Sequence, residues 1–343
     1  MPLQVSVHSS GKNCLIHDET ALNQYVSKNK FRLEGWEEMF NYAIDADFGI
    51  QFDLKKFYYE LDIHEDFQQY FGFMYPMSDG EKATYFVWTV LPYGYTRAPF
   101  LAKSIMKPLI SKWHQLQIFT CVFVDDGMAV SKDEHFLKQA SLQIQCDLLR
   151  LGLLPGIEKC FWQPMKLLNW NGIKWDFSKK QISILDRRIH NAKENLFEFI
   201  GNWPKVSFRH LSQFVGRINS MHPVFQQRGQ LRTRMLQILI NVRHYYDCSW
   251  DKEIFSIYGP KLFRMAKDEL LFWAASIDQL NARQFQTPPP EVVGWVDASS
   301  FAHGGLMCSI RPEFVGIHRP LTADNLLGKD IFSGLASFKD GAK

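Results

Sequence analysis

The 343-residue sequence has no CxxC pair among its six cysteines, Cys14, Cys121, Cys146, Cys160, Cys248 and Cys308. Without that spacing there is neither a zinc knuckle nor a redox dithiol, and so few scattered thiols cannot form a disulfide scaffold. A reducing compartment is the expectation. No stretch reaches the ~18–20 uninterrupted apolar residues of a membrane span, and the N-terminal MPLQVSVHSSGKNC lacks the apolar core of a secretory signal. The expected protein is intracellular, nuclear or cytoplasmic, not secreted, and has no membrane partner. Repeats of about 20 to 50 residues are also missing, which sets aside solenoids and propellers.

One further absence concerns charge. Between 199 and 246 there is no Asp or Glu, yet Lys205, Arg209, Arg217, Arg228, Arg232, Arg234 and Arg243 all fall there. The net charge is only +3, so the rest of the chain is net acidic. Segregation of this kind points to a polyanionic partner, with a solvated helical face as the plainer alternative.

What is present is apolar and aromatic bulk, at 46% and 15% of the chain. That is enough for more than one core, and the length suggests about two domains. The pattern reads as α+β. FGIQFDL (48–54) and YFVWTVL (85–91) have strand character, with a helix or turn and a further strand between them. LAKSIMKPLISKWHQL (101–116) predicts a helix with a kink at Pro108. IFTCVFV (118–124) predicts a strand, the Asp126-Gly127 pair a hairpin turn, and MAV its returning partner. A helix over 133–152 and strands near LLNWNGIKWDF and QISIL follow. From about 186 to 285 the pattern is mainly helical, QTPPPE (286–291) reads as a stiff linker, and VVGWVDASSFAHGGLMCSI opens a further strand-rich unit.

CVFVDDGMAV carries the most chemistry. Two adjacent acids inside apolar strand sequence raise each other's pKa and lose solvation unless a cation compensates them. Taken alone, Asp-Asp-Gly also suits an exposed turn. Asp53 ends the earlier strand FGIQFDL. If the two strands lie side by side, Asp53 and Asp125 can share two Mg²⁺ ions, or Mn²⁺, which is the arrangement of phosphoryl-transfer chemistry.

The ordered set FDLKKFYYELDI, LPYGYTRAPF, FVDDGMAV, LGLLPGIEKC and NWNGIKWD resembles the successive palm motifs of a reverse transcriptase, and GKNCLIHDETALN resembles its fingers. VSFRHLSQFVGRI and VDASSFAHGG are similar to the thumb or connection and the start of ribonuclease H in retrotransposon polymerases. The LPYG form is nearer to DIRS-type and gypsy-type elements than to retroviruses, which carry Gln at the position of Tyr93.

The resemblance implies an α+β right-hand polymerase. It would comprise fingers and palm over 1–185, a helical thumb and connection over 186–285, and a truncated ribonuclease H-like start over 286–343. It implies RNA-directed DNA synthesis from dNTPs on an RNA or DNA template-primer. Asp53, Asp125 and Asp126 would form the metal-binding catalytic triad, and Lys159 would be the general acid. Tyr58 would exclude the ribose 2′-hydroxyl, a core aromatic being the alternative. Tyr93 and Gly94 would line the nucleotide pocket, Asn171 and Gly172 would form the primer grip, and Lys205, Arg209, Arg217, Arg228, Arg232 and Arg234 would track the nucleic acid. The family has an arginine four residues before the aspartate matched by Asp18, where this chain has Cys14, so Lys12 is left as the nearby point charge for a triphosphate. The primer grip holds Asn171 where the family has Leu. Asp297 matches the first ribonuclease H ligand, with Asp330 a weaker match. The remaining acids of that site are not reached, so ribonuclease H activity is not expected. Two other classes fit parts of the pattern: a catalytically decayed nucleic-acid-binding remnant of a retroelement, and a metal-dependent nuclease.

Overall fold

A computed structural model describes residues 3–7, 13–27, 30–75, 84–244, 246–254, 260–286, 292–298, 302–309 and 314–320. The chain opens with β1 (Leu3–Val7), β2 (Asn13–His17), α1 (Thr20–Asn23) and α2 (Trp36–Ala43). A mixed stretch follows: β3 (Phe48–Asp53), α3 (Glu65–Gln68), β4 (Gly72–Tyr75), β5 (Thr84–Val87), α4 (Ala98–Gln115), β6 (Phe119–Phe123), β7 (Asp126–Ser131) and α5 (Glu134–Arg150). Next come β8 (Phe161–Met165), β9 (Leu167–Trp170), β10 (Ile173–Asp176) and β11 (Gln181–Ile184). Helices then take over, with α6 (Asp186–Asn202), α7 (Phe208–Ser220), α8 (His222–Phe225), α9 (Gln227–Leu231), α10 (Arg234–Val242) and α11 (Pro260–Ser276). The described chain ends with β12 (Arg283–Gln284) and the antiparallel strands β13 (Val292–Ala298), β14 (Ala302–Ser309) and β15 (Phe314–Pro320).

The sheet that positions the acids has the order β6-β7-β3-β8 and is antiparallel throughout. Its inner strand β3 is buried on both faces. Ile50 and Phe52 join a core with Met106 and Trp113 of α4 and Leu137, Ile144 and Leu148 of α5. On the other face, Gly49 lies so close to Leu168 and Phe177 that a Cβ would stand 2.8 Å from each. The second core begins there, with Trp170, Trp175 and Ile182, and continues without a break into Leu196, Phe208, Phe214, Leu236 and Trp273 of the helices.

Local chemistry fixes the helix ends. Asp133 caps α5 by accepting from the N–H groups of His135 (2.8 Å) and Phe136 (3.1 Å), and Gly152 leaves the helix at φ 76°. The first turn of α10 is closed from outside. The buried Glu269 carboxylate on α11 accepts from the N–H groups of Met235 and Leu236, each at 3.1 Å.

Four expectations are adjusted. The strand placed at 85–91 ends at Val87, because the backbone beyond it bonds instead to the 61–63 segment: Ile63 N–H donates to Thr89 and Leu91 N–H to Leu61. The helix after Pro99 starts at Ala98 and runs on past Pro108 to Gln115. LLNWNGIKWDF holds two strands rather than one, joined by Asn171 and Gly172, whose positive φ angles of 50° and 71° suit a two-residue hairpin turn. β8 was not foreseen, since Pro164 argues against a strand; it lies at the sheet edge, where a missing N–H costs least. Of QTPPPE, residues 287–291 lie outside the described residues.

Candidate active site

The β3–β7 ladder places Asp53 directly opposite Asp126, and the β6–β7 ladder places Phe123 opposite Asp126. Val124 and Asp125 alone therefore make the turn, which corrects the Asp-Gly reading. Val124 takes φ 61°, a left-handed conformation that a β-branched residue rarely adopts. The tip is held by Leu54 N–H, which donates to the Asp125 carbonyl at 2.8 Å. Gly127 serves another purpose: the Phe52 ring lies across it, and a Cβ there would come within 2.2 Å of a ring carbon.

A loop from β8's side completes the end of β3. Gly156 N–H donates to the Asp53 carbonyl at 2.7 Å, Asp53 N–H to Cys160 Sγ at 3.3 Å, and Lys159 Nζ to Asp53 Oδ1 at 2.9 Å. That last bond, more than any other cause, raises the Lys159 pKa. Burial lifts the Asp125 carboxyl above the ordinary range, with Asp53 adding to the effect. Asp126 is pushed up to about 7, chiefly by burial and further by Asp53 and Asp125. Donation from Asn171 N–H and from Gln51 Nε2 (3.3 Å to Oδ1) works the other way.

Three acids thus share one ammonium, an imbalance that a divalent cation relieves. Among the described residues no three His, Cys, Asp or Glu side chains stand together as a ready cage. Mg²⁺ does not need one, since it is commonly held by one or two carboxylates plus substrate phosphates and water. Asp53 and Asp125 fit that donor set, while Asp126 is engaged by Gln51 and Asn171.

Beside the acids, Tyr58 is half-buried, its hydroxyl pKa raised by burial and then by Asp125. The Tyr93 ring meets Tyr58 and Tyr59 edge-on, with centroids 5.1 Å away in both cases. Gly94 sits at φ 104°, where a Cβ would fall 2.4 Å from the His17 carbonyl oxygen. Asn23, which sequence reasoning did not single out, grips this turn with both ends of its carboxamide, donating to the Gly94 carbonyl and accepting from Thr96 N–H at 2.9 Å each. Trp170 was missed as well; its indole N–H donates to the Asp126 carbonyl at 3.1 Å and ties the Asn171–Gly172 turn to the acids. A polar Gln51 inside an otherwise apolar strand was the one visible hint of this support.

The remaining sites lie elsewhere. Lys12 and Asp330 fall outside the described residues, and Cys14 pairs with Ser6 across β1 and β2. Asp297 stands opposite Gly304 in the β13–β14 ladder. All six of the basic set are exposed, and Arg234 lines a groove with Gln230, Gln237 and Asn241. Arg232 lies over the Phe272 ring at 4.6 Å. Arg209 is engaged, its Nε and a terminal nitrogen bonding Asp251 at 2.7 and 3.2 Å.

A family model described as reverse transcriptase (RNA-dependent DNA polymerase) matches residues 12–183, half of the chain and the part that holds the acids, Lys159, the tyrosines and the Asn171–Gly172 turn. The chain belongs to the reverse transcriptase family. A polyprotein of Cassava vein mosaic virus is 27% identical over 136 residues, covering 38% of this chain and 20% of that polyprotein. The Gag-Pol polyprotein of Walleye dermal sarcoma virus is 27% identical over 134 residues, 38% of this chain and 7% of its own length. Among solved structures, a foamy viral protease-reverse transcriptase in complex with double-stranded DNA superposes with TM-score 0.65 at 15% identity, over 95% of this chain and 52% of that one. The same enzyme with an RNA/DNA hybrid gives TM-score 0.62 at 14% identity, over 95% of this chain and 40% of that one. The chain therefore has the α+β fold of a retroelement reverse transcriptase and spans a fifth or less of these polyproteins' length. Among the described residues, no helix is long and apolar enough to cross a membrane.

Proposed function

We propose that this reverse transcriptase chain extends a primer 3′ end with dNTPs on an RNA or DNA template, by phosphoryl transfer with two divalent metal ions. The observation that carries the reading is the meeting of β3 with the β6–β7 turn. Asp53 faces Asp126 across the ladder, Leu54 bonds Asp125, and Lys159 sits on Asp53. When bound, Mg²⁺ or Mn²⁺ supplies polarisation of the attacking oxygen and stabilisation of the leaving phosphate. Asp53 and Asp125 are the residues that hold it, and Asp126 backs them.

Lys159, an ammonium whose pKa Asp53 raises further, is the group that hands a proton to the departing pyrophosphate. Tyr58, braced by Tyr93, occupies the space where a 2′-hydroxyl would go, and Gly94 lets backbone approach the nucleotide. Asn171 and Gly172 present a stiff turn to the primer terminus. In this reading residues 1–185 are fingers and palm, and 186–285 are thumb and connection, whose exposed basic side chains meet the sugar-phosphate backbone. Residues from 286 onward begin a ribonuclease H-like unit. The foamy viral neighbours bound to double-stranded DNA and to RNA/DNA hybrid support the choice of partner.

The test is extension of a labelled primer with Mg²⁺ or Mn²⁺, run beside Asp125→Ala. Extension by the wild-type chain alone supports the proposal. Equal product from both, or cleavage in place of extension, refutes it.

A further inference from the structure

We infer that Arg188 is a positioning residue that ties the Asn171–Gly172 turn to the end of α7 and thereby sets how long a template-primer is held; the inference rests on the polymerase reading above. Arg188 belongs to the first turn of α6, a helix anchored in the core by Ile189, Ala192, Leu196 and Phe199. One terminal nitrogen of its guanidinium donates to the Gly172 carbonyl at 3.0 Å. The other donates to Ser220 Oγ at 2.8 Å and to the Ser220 carbonyl at 3.4 Å. Ser220 is the last residue of α7, and its hydroxyl in turn donates to the Arg217 carbonyl at 2.7 Å.

The fit is close on both sides. A Cβ at Gly172 would come within 2.8 Å of the Arg188 nitrogen, so the turn's glycine leaves room for this fork as well as for its φ of 71°. At the other side the cation meets the negative end of the α7 dipole, where a positive charge is favourable. No carboxylate of the described residues pairs with Arg188, and burial alone lowers its pKa. Its partners are neutral oxygens, so the full charge persists beside the surface assigned to the primer.

Only a guanidinium fits this role. Its planar fork reaches two elements at once, whereas a lysine's three donors share one nitrogen and lack that fixed spacing. α7 is also the helix that carries Arg217, and the turn bonds Asp126 through Asn171. The bridge therefore joins the element at the primer end to an element that faces the duplex. Loosening it alters retention of the duplex, not recognition of the incoming nucleotide.

The experiment compares Arg188→Lys, Arg188→Met and Ser220→Ala with the wild-type chain. It measures dissociation of a fluorescent template-primer, nucleotides added per binding event under a trap, dNTP KM and melting temperature. Loss of a charge-assisted bond predicts release about tenfold faster for both Arg188 variants, fewer additions per event, a smaller effect for Ser220→Ala, and an unchanged dNTP KM. If Arg188→Met fails to fold, Arg188→Lys and Ser220→Ala decide the matter. Wild-type retention by Arg188→Lys, or a raised dNTP KM with normal release, overturns the inference alone. A wild-type chain that binds no template-primer overturns the polymerase reading together with it.

Discussion

Lys159 and Asp53 are 106 residues apart in sequence, yet Nζ of one lies 2.9 Å from Oδ1 of the other. The bond holds the ammonium beside the carboxylates, the position that the proposed proton donor to pyrophosphate needs. Lys159→Gln should slow single-nucleotide addition by roughly 10²–10⁴-fold, the usual worth of general acid catalysis, and remove the alkaline limb of the pH–rate profile. Lys159→Arg should restore part of the rate. Pre-steady-state addition rates from about pH 6 to 10, spanning the ordinary lysine range, check this; a full rate in the glutamine variant contradicts it.

Gly127 makes a prediction about packing. Gly127 is a strand residue without a positive φ, so what bars a side chain is space: under the Phe52 ring, alanine overlaps carbon atoms. Gly127→Ala should cost about 1–3 kcal/mol, and Phe52→Leu in the same chain should recover part of that. A double-mutant cycle on melting temperature and denaturant midpoint reads the coupling. Additive losses would show that the two residues act independently.

Much of the β3 to β7 unit was legible because period-2 alternation and adjacent acids are strong signals with one strand-pairing solution. The turn was misread because Asp-Gly favours turns locally, whereas here the Phe52 ring fixes where glycine must stand. Pro164 hid β8, and β5 was overextended because its last residues bond a segment 25 to 30 positions earlier, which no local pattern announces. Lys159, Tyr58 and Tyr93 are singled out by motif order, since single residues of those types say little. Asn23, Trp170 and Arg188 act through bonds to distant backbone carbonyls, and nothing in their sequence neighbourhood records a partner. Arg209 looked like its basic neighbours, but Asp251 lies just past the acid-free window and claims it.

The Asp126 carboxyl, raised from 3.8 to about 7, makes stability depend on pH. Between those values the folded chain holds a proton that the unfolded chain has released, so this contribution to stability falls as pH rises and is lost above about 7. In metal-free buffer Asp126→Asn should therefore flatten the decline in melting temperature across that window. Added Mg²⁺ should oppose the decline in the wild-type chain, because cation and proton compete for the same cluster. Parallel curves for the two proteins would contradict the assignment.

Salt dependence separates the arginines. Neutralising Arg232 and Arg234 together should reduce the slope of log K against log salt by about 1.4–1.8, two contacts' worth. Arg209→Gln should leave it unchanged, since that guanidinium is held by Asp251. Fluorescence anisotropy with one duplex over a range of KCl gives the slopes, and the reverse ranking would show that the duplex lies elsewhere.

The claim at the centre is that Asp53 and Asp125 together hold divalent ions. Anomalous diffraction from crystals of the chain with template-primer, a non-hydrolysable dNTP and Mn²⁺ tests it directly. The account predicts two peaks ~3.5–4 Å apart, both in contact with Asp53 and Asp125 oxygens. Peaks bound to other side chains, or none at this cluster, would contradict it.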